Sequence, residues 1–412
     1  MSSNTPHWML TRAEIELQFP RIAVQSIQTE ESNMAKYDLI IKGGTVVDPS
    51  QGIHERRDVA FSNGKVAAIE PDISDNLSND VVDAADAIVT PGLVDLHVHV
   101  YWGVGHYGIE ADPTQVAKGV TTAVDAGSAG AWTFPAFRRY VMERSVTRLF
   151  ALLNISSMGM ISPKIGELED LRWADVEDAT RVGHANPDHI LGIKVRLSQP
   201  LTANHDVDSL KRAIEAAEEL GKFVMIHVGN SFTPMEDLVG MLRPGDVVTH
   251  AYHGNAHGAM DDAGRVYDGI VEAQNRGVVF DIGHGRGSFS FESAEKALAQ
   301  NFFPGNISSD LHIYNIEGPV HDQLSTLSKF LHLGLSLDEV VRLSTSATAQ
   351  VMGHDDEIGT LKPGATGDAT VMRIAEGKFT FVDSLDATVE GTRKLEHVAT
   401  IKSGRLYQPY LW

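Results

Sequence analysis

The chain has 412 residues, 42% hydrophobic and 22% charged, and a net charge of −21 that opposes non-specific binding to nucleic-acid backbones or anionic membranes. Cysteine is absent and 18 histidines are present, so disulfides and thiolate ligands are excluded and any metal must be held by nitrogen and oxygen. No apolar run is long enough to span a bilayer and none reads as a charged-then-apolar signal, which makes a cytoplasmic protein the expectation.

Residues 1–33 are polar and weakly periodic and read as an N-terminal extension, with patterned sequence starting at Met34. Short strand-like runs follow from Tyr37, with a hairpin turn at Asn63-Gly64 and further strands at Val81-Val-Asp and Ala87-Ile-Val-Thr. Runs of the same character return from Asp368, Phe379 and His397, so 34–90 and 357–412 are expected to pair into one small β-sandwich domain. Between them, over 91–356, strands alternate with helices. Strand candidates are 120–125, 149–155 and 278–283; helix candidates are 135–143, 208–220 and 266–276. Asp208 is placed to cap the second of these helices and Gly221 to end it, while Ser336 and Glu339 form a capping box further on. Repeated about eight times, this alternation predicts an α/β fold, a (β/α)8 TIM-like barrel carrying a small β-sandwich made by both chain ends.

The stretch from Pro91 to Tyr101 organises the rest. An apolar run ends in His97 and His99, which alternation along a strand puts on one face, with Tyr101 continuing that line. A lone histidine in such a run is more often a core residue than a ligand. Here Lys194, His227, His250 and Asp310 each close a separate apolar stretch, and the C-terminal ends of parallel barrel strands converge on one mouth. Burial at a strand end pushes Lys194 toward the neutral amine and leaves three readings open: a snorkelling structural lysine, a Schiff-base nucleophile, or an amine that has captured carbon dioxide as a carbamate. Beside four histidines and an aspartate, the carbamate is attractive because it bridges two cations. The summed charge of carbamate, Asp310 and one bridging hydroxide falls short of that of two divalent ions, and the residual positive charge suits polarising a carbonyl. Zinc is the expected occupant for nitrogen and oxygen donors, ahead of manganese, iron or cobalt.

These residues resemble the ligand set of the amidohydrolase superfamily, in its binuclear group with dihydroorotase, dihydropyrimidinase and the amidohydrolase-type deacetylases, over about residues 36 to 408. The resemblance implies that His97 and His99 hold one metal with Asp310, that His227 and His250 hold the second, and that N6-carboxylated Lys194 bridges them. It implies attack by a metal-bridging hydroxide, with Asp310 passing the proton to the leaving group. Residues 358–369 resemble the family's return into its small β-sandwich.

Dihydroorotases usually carry an arginine two residues after His-x-His to grip a substrate carboxylate, and Tyr101 stands there instead. The sequence is closer to the deacetylase branch, helped by His250-Ala-Tyr-His253-Gly and Ser309-Asp310-Leu-His312. The expected activity is therefore hydrolysis of acyl groups, acetyl above all, from small carboxylate-bearing hydroxy acids or N-acyl amino acids. The alternative is a dihydroorotase-like or other cyclic-amide hydrolase. A scaffold that has lost its metals is the rival outside enzymology, and the filled ligand positions oppose it. Arg196, two residues past Lys194, is the candidate for the substrate carboxylate, against a structural ion pair at the rim. Tyr101, His253, His284 in the Gly-rich turn 283–287, and His312 complete the candidate substrate contacts. The expected partner is a small-molecule substrate, with neither nucleic acid nor membrane; a homo-oligomer is compatible with the sequence.

Overall fold

A computed structural model describes residues 35–409; the extension expected over 1–33 lies outside the described residues. Short β-branched runs broken by Gly, Asn and Asp form β1 (Leu39–Asp48), β2 (Ile53–Ser62), β3 (Lys65–Glu70), β4 (Val81–Asp83) and β5 (Ile88–Pro91). The turn between β2 and β3 has φ of 51° at Asn63 and 73° at Gly64, the conformation for which the Asn-Gly pair is suited.

Seven strands alternating with helical segments come next: β6 (Leu93–Val98), β7 (Val120–Gly130), β8 (Arg148–Asn154), β9 (Ile190–Leu197), β10 (Phe223–Val228), β11 (Val247–Thr249) and β12 (Val279–Phe280). They form a 7-stranded sheet in sequence order, every neighbouring pair parallel. The chain then returns through the long hairpin of β13 (Ala369–Val382) and β14 (Thr388–Lys402), ending in β15 (Arg405–Leu406). Because β13 pairs antiparallel with β5, both chain ends build one 8-stranded sheet, ordered β15-β14-β13-β5-β1-β2-β3 with β4 beside β1.

Residues 306–310, expected as a strand, carry no regular ladder. They are joined instead by single parallel bridges, Asp281↔Asn306 past β12 and Val98↔Leu311 at the end of β6. The two outer strands of the sheet thus meet through one segment, and the sheet curls around a common interior. Backbone bonds from Ile282 N to the Asn306 carbonyl and from His284 N to the Ser308 carbonyl alternate with side-chain ones: Ser309 N donates to Asp95 Oδ1 at 3.0 Å, and Gly283 N to Ser308 Oγ at 3.1 Å. β12 itself ends at Phe280, short of the strand read over 278–283.

Side chains alternate along the sheet. On β10, Val224, Ile226 and Val228 pack in one cluster with Leu210, Ala213 and Ala217 of the helix Asp206–Leu220, while Met225 joins Leu96, Val124, Leu152 and Val247 in a second. That helix starts at Asp206, so Asp208 lies inside its first turn rather than capping it, and the Asp206 carboxylate ties it to the loop after β10, accepting from Phe232 N at 2.7 Å and Thr233 N at 2.9 Å. Gly221 ends it at φ 64°, and Ser336 Oγ accepts from Glu339 N at 3.2 Å as the capping box requires. Among the described residues no helix is long and apolar enough to cross a membrane.

Candidate metal centre

The C-terminal ends of β6, β9, β10 and β11, with the segment after β12, bring the predicted ligands into one cavity of about 560 Å³. His97, His99, Lys194, His227 and Asp310 line it, and His250 stands directly behind His227. His97, His250 and Asp310 each offer a ligand atom within 4.8 Å of the other two. Asp310 Oδ1 lies 3.2 Å from His99 Nε2 and 3.4 Å from His97 Nε2, and Lys194 Nζ is 3.4 Å from His97 Nε2. On the other side, His250 Nε2 and His227 Nδ1 are 2.7 Å apart.

Outer hydrogen bonds orient the rings. Thr249 Oγ1 donates to Asp281 Oδ2 at 2.6 Å, so it accepts from His97 Nδ1 at 2.9 Å and leaves the His97 Nε2 lone pair facing the cavity. Ser128 Oγ lies 2.9 Å from His99 Nδ1. The Gly283 carbonyl, an acceptor only, takes the Nδ1 proton of His250 at 2.6 Å. Ser198 Oγ donates to the Gly229 carbonyl at 2.7 Å and so accepts from His227 Nε2 at 3.0 Å. His250 Nε2 and His227 Nδ1 thus turn toward each other at 2.7 Å, two imidazole nitrogens converging on one side of the cavity while their outer ring nitrogens are held by the Gly283 carbonyl and Ser198 Oγ. The donor set fits divalent metals on this ground.

Electrostatics point the same way. Burial, then the charge of Lys194, holds His97, His99 and His250 well below the ordinary histidine range; burial and His250 do the same to the half-buried His227. The imidazoles are therefore neutral, the form that ligates. Burial pushes the Lys194 amine down to about 7 and the Asp310 carboxyl up to about 6.

Room for this cluster comes from glycine. A Cβ on Gly127, where φ is 89°, would stand 2.6 Å from Lys194 Cγ. One on Gly283 would stand 2.8 Å from His250 Nδ1, and one on Gly285 2.4 Å from Asp310 Oδ2. His250 and Asp310 themselves have φ of 68° and 48°, left-handed values uncommon for non-glycine residues.

No family model matches the chain. It is 34% identical over 348 residues to a deacetylase of Agrobacterium fabrum, covering 84% of this chain and 82% of that protein. A deacetylase of Enterococcus faecalis is 32% identical over 90% of this chain and 99% of its own length. The chain belongs to the amidohydrolase superfamily. A dihydroorotase of Geobacter sulfurreducens is 28% identical over 46% of this chain and 42% of that one. Solved structures described as an adenine deaminase and a dihydroorotase superpose with TM-scores of 0.84 and 0.83, each 31% identical and spanning 90% of this chain, with 100% and 98% of their own covered.

The cavity of this amidohydrolase takes in Arg196 and His312 among the expected substrate contacts and leaves out three others. Tyr101 corrects the extrapolated alternation: β6 ends at Val98, and the ring turns onto Phe137, centroids 4.7 Å apart, with its hydroxyl donating to the Thr133 carbonyl at 3.0 Å. His284 is fully buried, stacked on Phe289 and hydrogen-bonded through Nε2 to Lys329 Nζ at 2.7 Å, so the turn brings Gly283 and Gly285 to the ligands and sends the imidazole away. His253 lines a neighbouring hollow, its Nδ1 accepting from Asn255 N at 3.1 Å.

Tyr107 occupies the wall that Tyr101 was expected to supply. Its ring stacks on His99 with centroids 5.2 Å apart, meets His312 at 4.4 Å, and lies 5.3 Å from the Arg196 guanidinium. Glu167, buried below, pairs with Arg196 Nη1. Neither was legible, since both sit on loops without periodicity. Asp281 did carry a local signal, a carboxylate inside the strand candidate 278–283; burial pushes it up to about 6.

Proposed function

We propose that this amidohydrolase is a binuclear metal-dependent deacetylase that hydrolyses acyl groups, acetyl among them, from small carboxylate-bearing hydroxy acids or N-acyl amino acids. The observation that carries the reading is the convergence of His227 and His250, nitrogens 2.7 Å apart, beside the cluster of His97, His99, Asp310 and Lys194. In this reading His97, His99 and Asp310 would hold one metal and His227 and His250 the second, and Lys194, carboxylated on its amine, would offer an oxygen donor to each. Zinc suits the nitrogen and oxygen donors. An amine held near 7 by burial is largely unprotonated above that pH, the form that takes up carbon dioxide. The curled parallel sheet with its bridging segment 306–311 is read as an eight-stranded barrel, spanning 91–356, whose mouth carries the site.

Bound divalent metals there polarise the acyl carbonyl and acidify water. The chain's own part is positioning and proton transfer. Asp310, its Oδ1 facing the histidines and its carboxyl raised toward neutrality, takes the proton of the attacking water and returns it to the departing alkoxide or amine. Tyr107 and His312 wall the cavity beside His99 and exclude water from that side. Deacetylase-named relatives covered over most of their length support the ester or amide of an acyclic acid. Neutral Tyr101, turned from the cavity, weighs against a dihydroorotate subsite of the expected kind.

The test is a screen of the metal-loaded enzyme with O-acetyl hydroxy acids and N-acetyl amino acids in both configurations, beside dihydroorotate and hydantoin. Release of acetate from an acyclic substrate is the expected result. Ring opening without acetate release overturns the deacetylase reading in favour of a cyclic-amide hydrolase.

A further inference from the structure

Two arginines face the cavity, and their surroundings differ. Arg196 is 8% exposed, its Nη1 paired with Glu167, whose Oε2 is in turn held by Asn154 Nδ2 at 3.0 Å. Its guanidinium also lies over the Tyr107 ring. Turning that charge toward a substrate would strand the Glu167 carboxylate, buried and unpaired, which is among the costliest changes a protein interior can undergo. Arg286 is exposed, and among the described residues no carboxylate pairs with it. Its contact is one long hydrogen bond, from Nη1 to the Gly318 carbonyl at 3.3 Å.

Position favours Arg286 as well. The residue before it, Gly285, packs its backbone so closely on Asp310 that a Cβ there would meet Oδ2 at 2.4 Å. The Arg286 side chain thus springs from the backbone next to the proton-carrying carboxylate. The turn beneath it is anchored: Ser384 Oγ lies 3.1 Å from the His284 carbonyl and 3.0 Å from that of Gly285, and His284 Nε2 meets Lys329. A fixed backbone carrying a guanidinium that no carboxylate pairs with is suited to capturing an anion at the cavity.

We propose that Arg286 binds the substrate carboxylate, and that Arg196 is a positioning residue that holds Glu167 and the Tyr107 wall. The proposal rests on the deacetylase reading and names the residue that selects a carboxylate-bearing substrate at that site.

The experiment uses the metal-loaded full chain with O-acetyl lactate and its neutral amide, O-acetyl lactamide, and in parallel calorimetric titration with lactate and lactamide. Arg286→Gln is expected to reduce the acid-over-amide preference in kcat/KM about ten- to a hundredfold, chiefly through KM, the usual size of a lost charge-assisted bond. Arg196→Gln is expected to lower acid and amide alike. A preference for acid that survives in Arg286→Gln, or one abolished by Arg196→Gln alone, overturns the assignment. The titration separates the two claims. If wild type hydrolyses neither ester but binds lactate over lactamide, and Arg286→Gln loses that preference, Arg286 keeps its role and the deacetylase reading falls. If wild type shows no preference for lactate in binding or turnover, the assignment of Arg286 falls.

Discussion

Gly127 and Gly221 both hold left-handed φ, 89° and 64°, yet they face different surroundings. A methyl at 127 meets Lys194 Cγ at 2.6 Å, whereas nothing lies within 4 Å of one at 221. Gly221→Ala should therefore cost only the conformational penalty, about 1–2 kcal/mol, and leave the metal content unchanged. Gly127→Ala carries the same penalty and also displaces Lys194. It should lower the bound metal measured by elemental analysis at least severalfold, with a total loss of about 2–4 kcal/mol in denaturant unfolding. Equal metal content in the two variants would show that Lys194 does not take part in metal binding. The strand-end ligands were readable at this scale because alternation plus an abrupt apolar-to-polar change marks them. Tyr107 was not, since nothing local distinguishes it from Tyr101.

At the scale of elements, the tip of the β13–β14 hairpin grips the turn that touches Asp310. Asp383, 1% exposed, accepts from Phe291 N at 3.0 Å, Leu385 N at 2.8 Å and Ala387 N at 2.9 Å. Ser384 N donates to the Phe289 carbonyl at 3.0 Å, and Lys329 Nζ joins His284 to the Val382 carbonyl. Removing the Asp383 carboxylate orphans several backbone donors together, so Asp383→Ala should destabilise by about 2–4 kcal/mol and raise hydrogen exchange over 283–291. Unchanged exchange there would mean that the hairpin does not brace the turn. The hairpin strands themselves follow from local pattern. That their tip reaches the mouth of the other sheet does not, because the contact joins residues far apart in the chain.

Across the whole molecule, the buried ionisable groups make stability depend on pH and on metal. Burial lowers Lys194 and Lys329 to about 7, so between pH 8 and 10 the unfolded chain binds more protons than the folded one. Stability of the metal-free protein in carbon-dioxide-free buffer should accordingly rise over that window, by up to ~1.4 kcal/mol per pH unit for each lysine, and fall as pH drops toward 7. Lys329→Met should flatten its share of the slope; a flat wild-type profile in urea titrations would refute the burial argument. Because metal would bind the site that folding assembles from His97, His99, His227, His250 and Asp310, chelation should lower Tm, by the equivalent of about 3 kcal/mol where metal had stood a hundredfold above its Kd. A Tm indifferent to chelator would contradict the metal centre.

Apolar runs and their polar ends, a property of the chain alone, marked the strand-helix alternation, the strand character shared by both ends, and His97, His99, Lys194, His227, His250 and Asp310 as candidates for one site, which the family resemblance reads as metal ligands. Each of these closes an apolar run, and the strand period carries that information locally. The tertiary structure decided the rest. The bridging segment 306–311 joins the outer strands through isolated bridges and side-chain bonds to Asp95 and Ser308, Glu167 pairs with Arg196 while no carboxylate among the described residues pairs with Arg286, and Tyr101 leaves the cavity to Tyr107. The reason is that loops have no repeat from which a direction can be read. Where their side chains point is set by contacts with residues distant in sequence, which exist only once the sheet has curled.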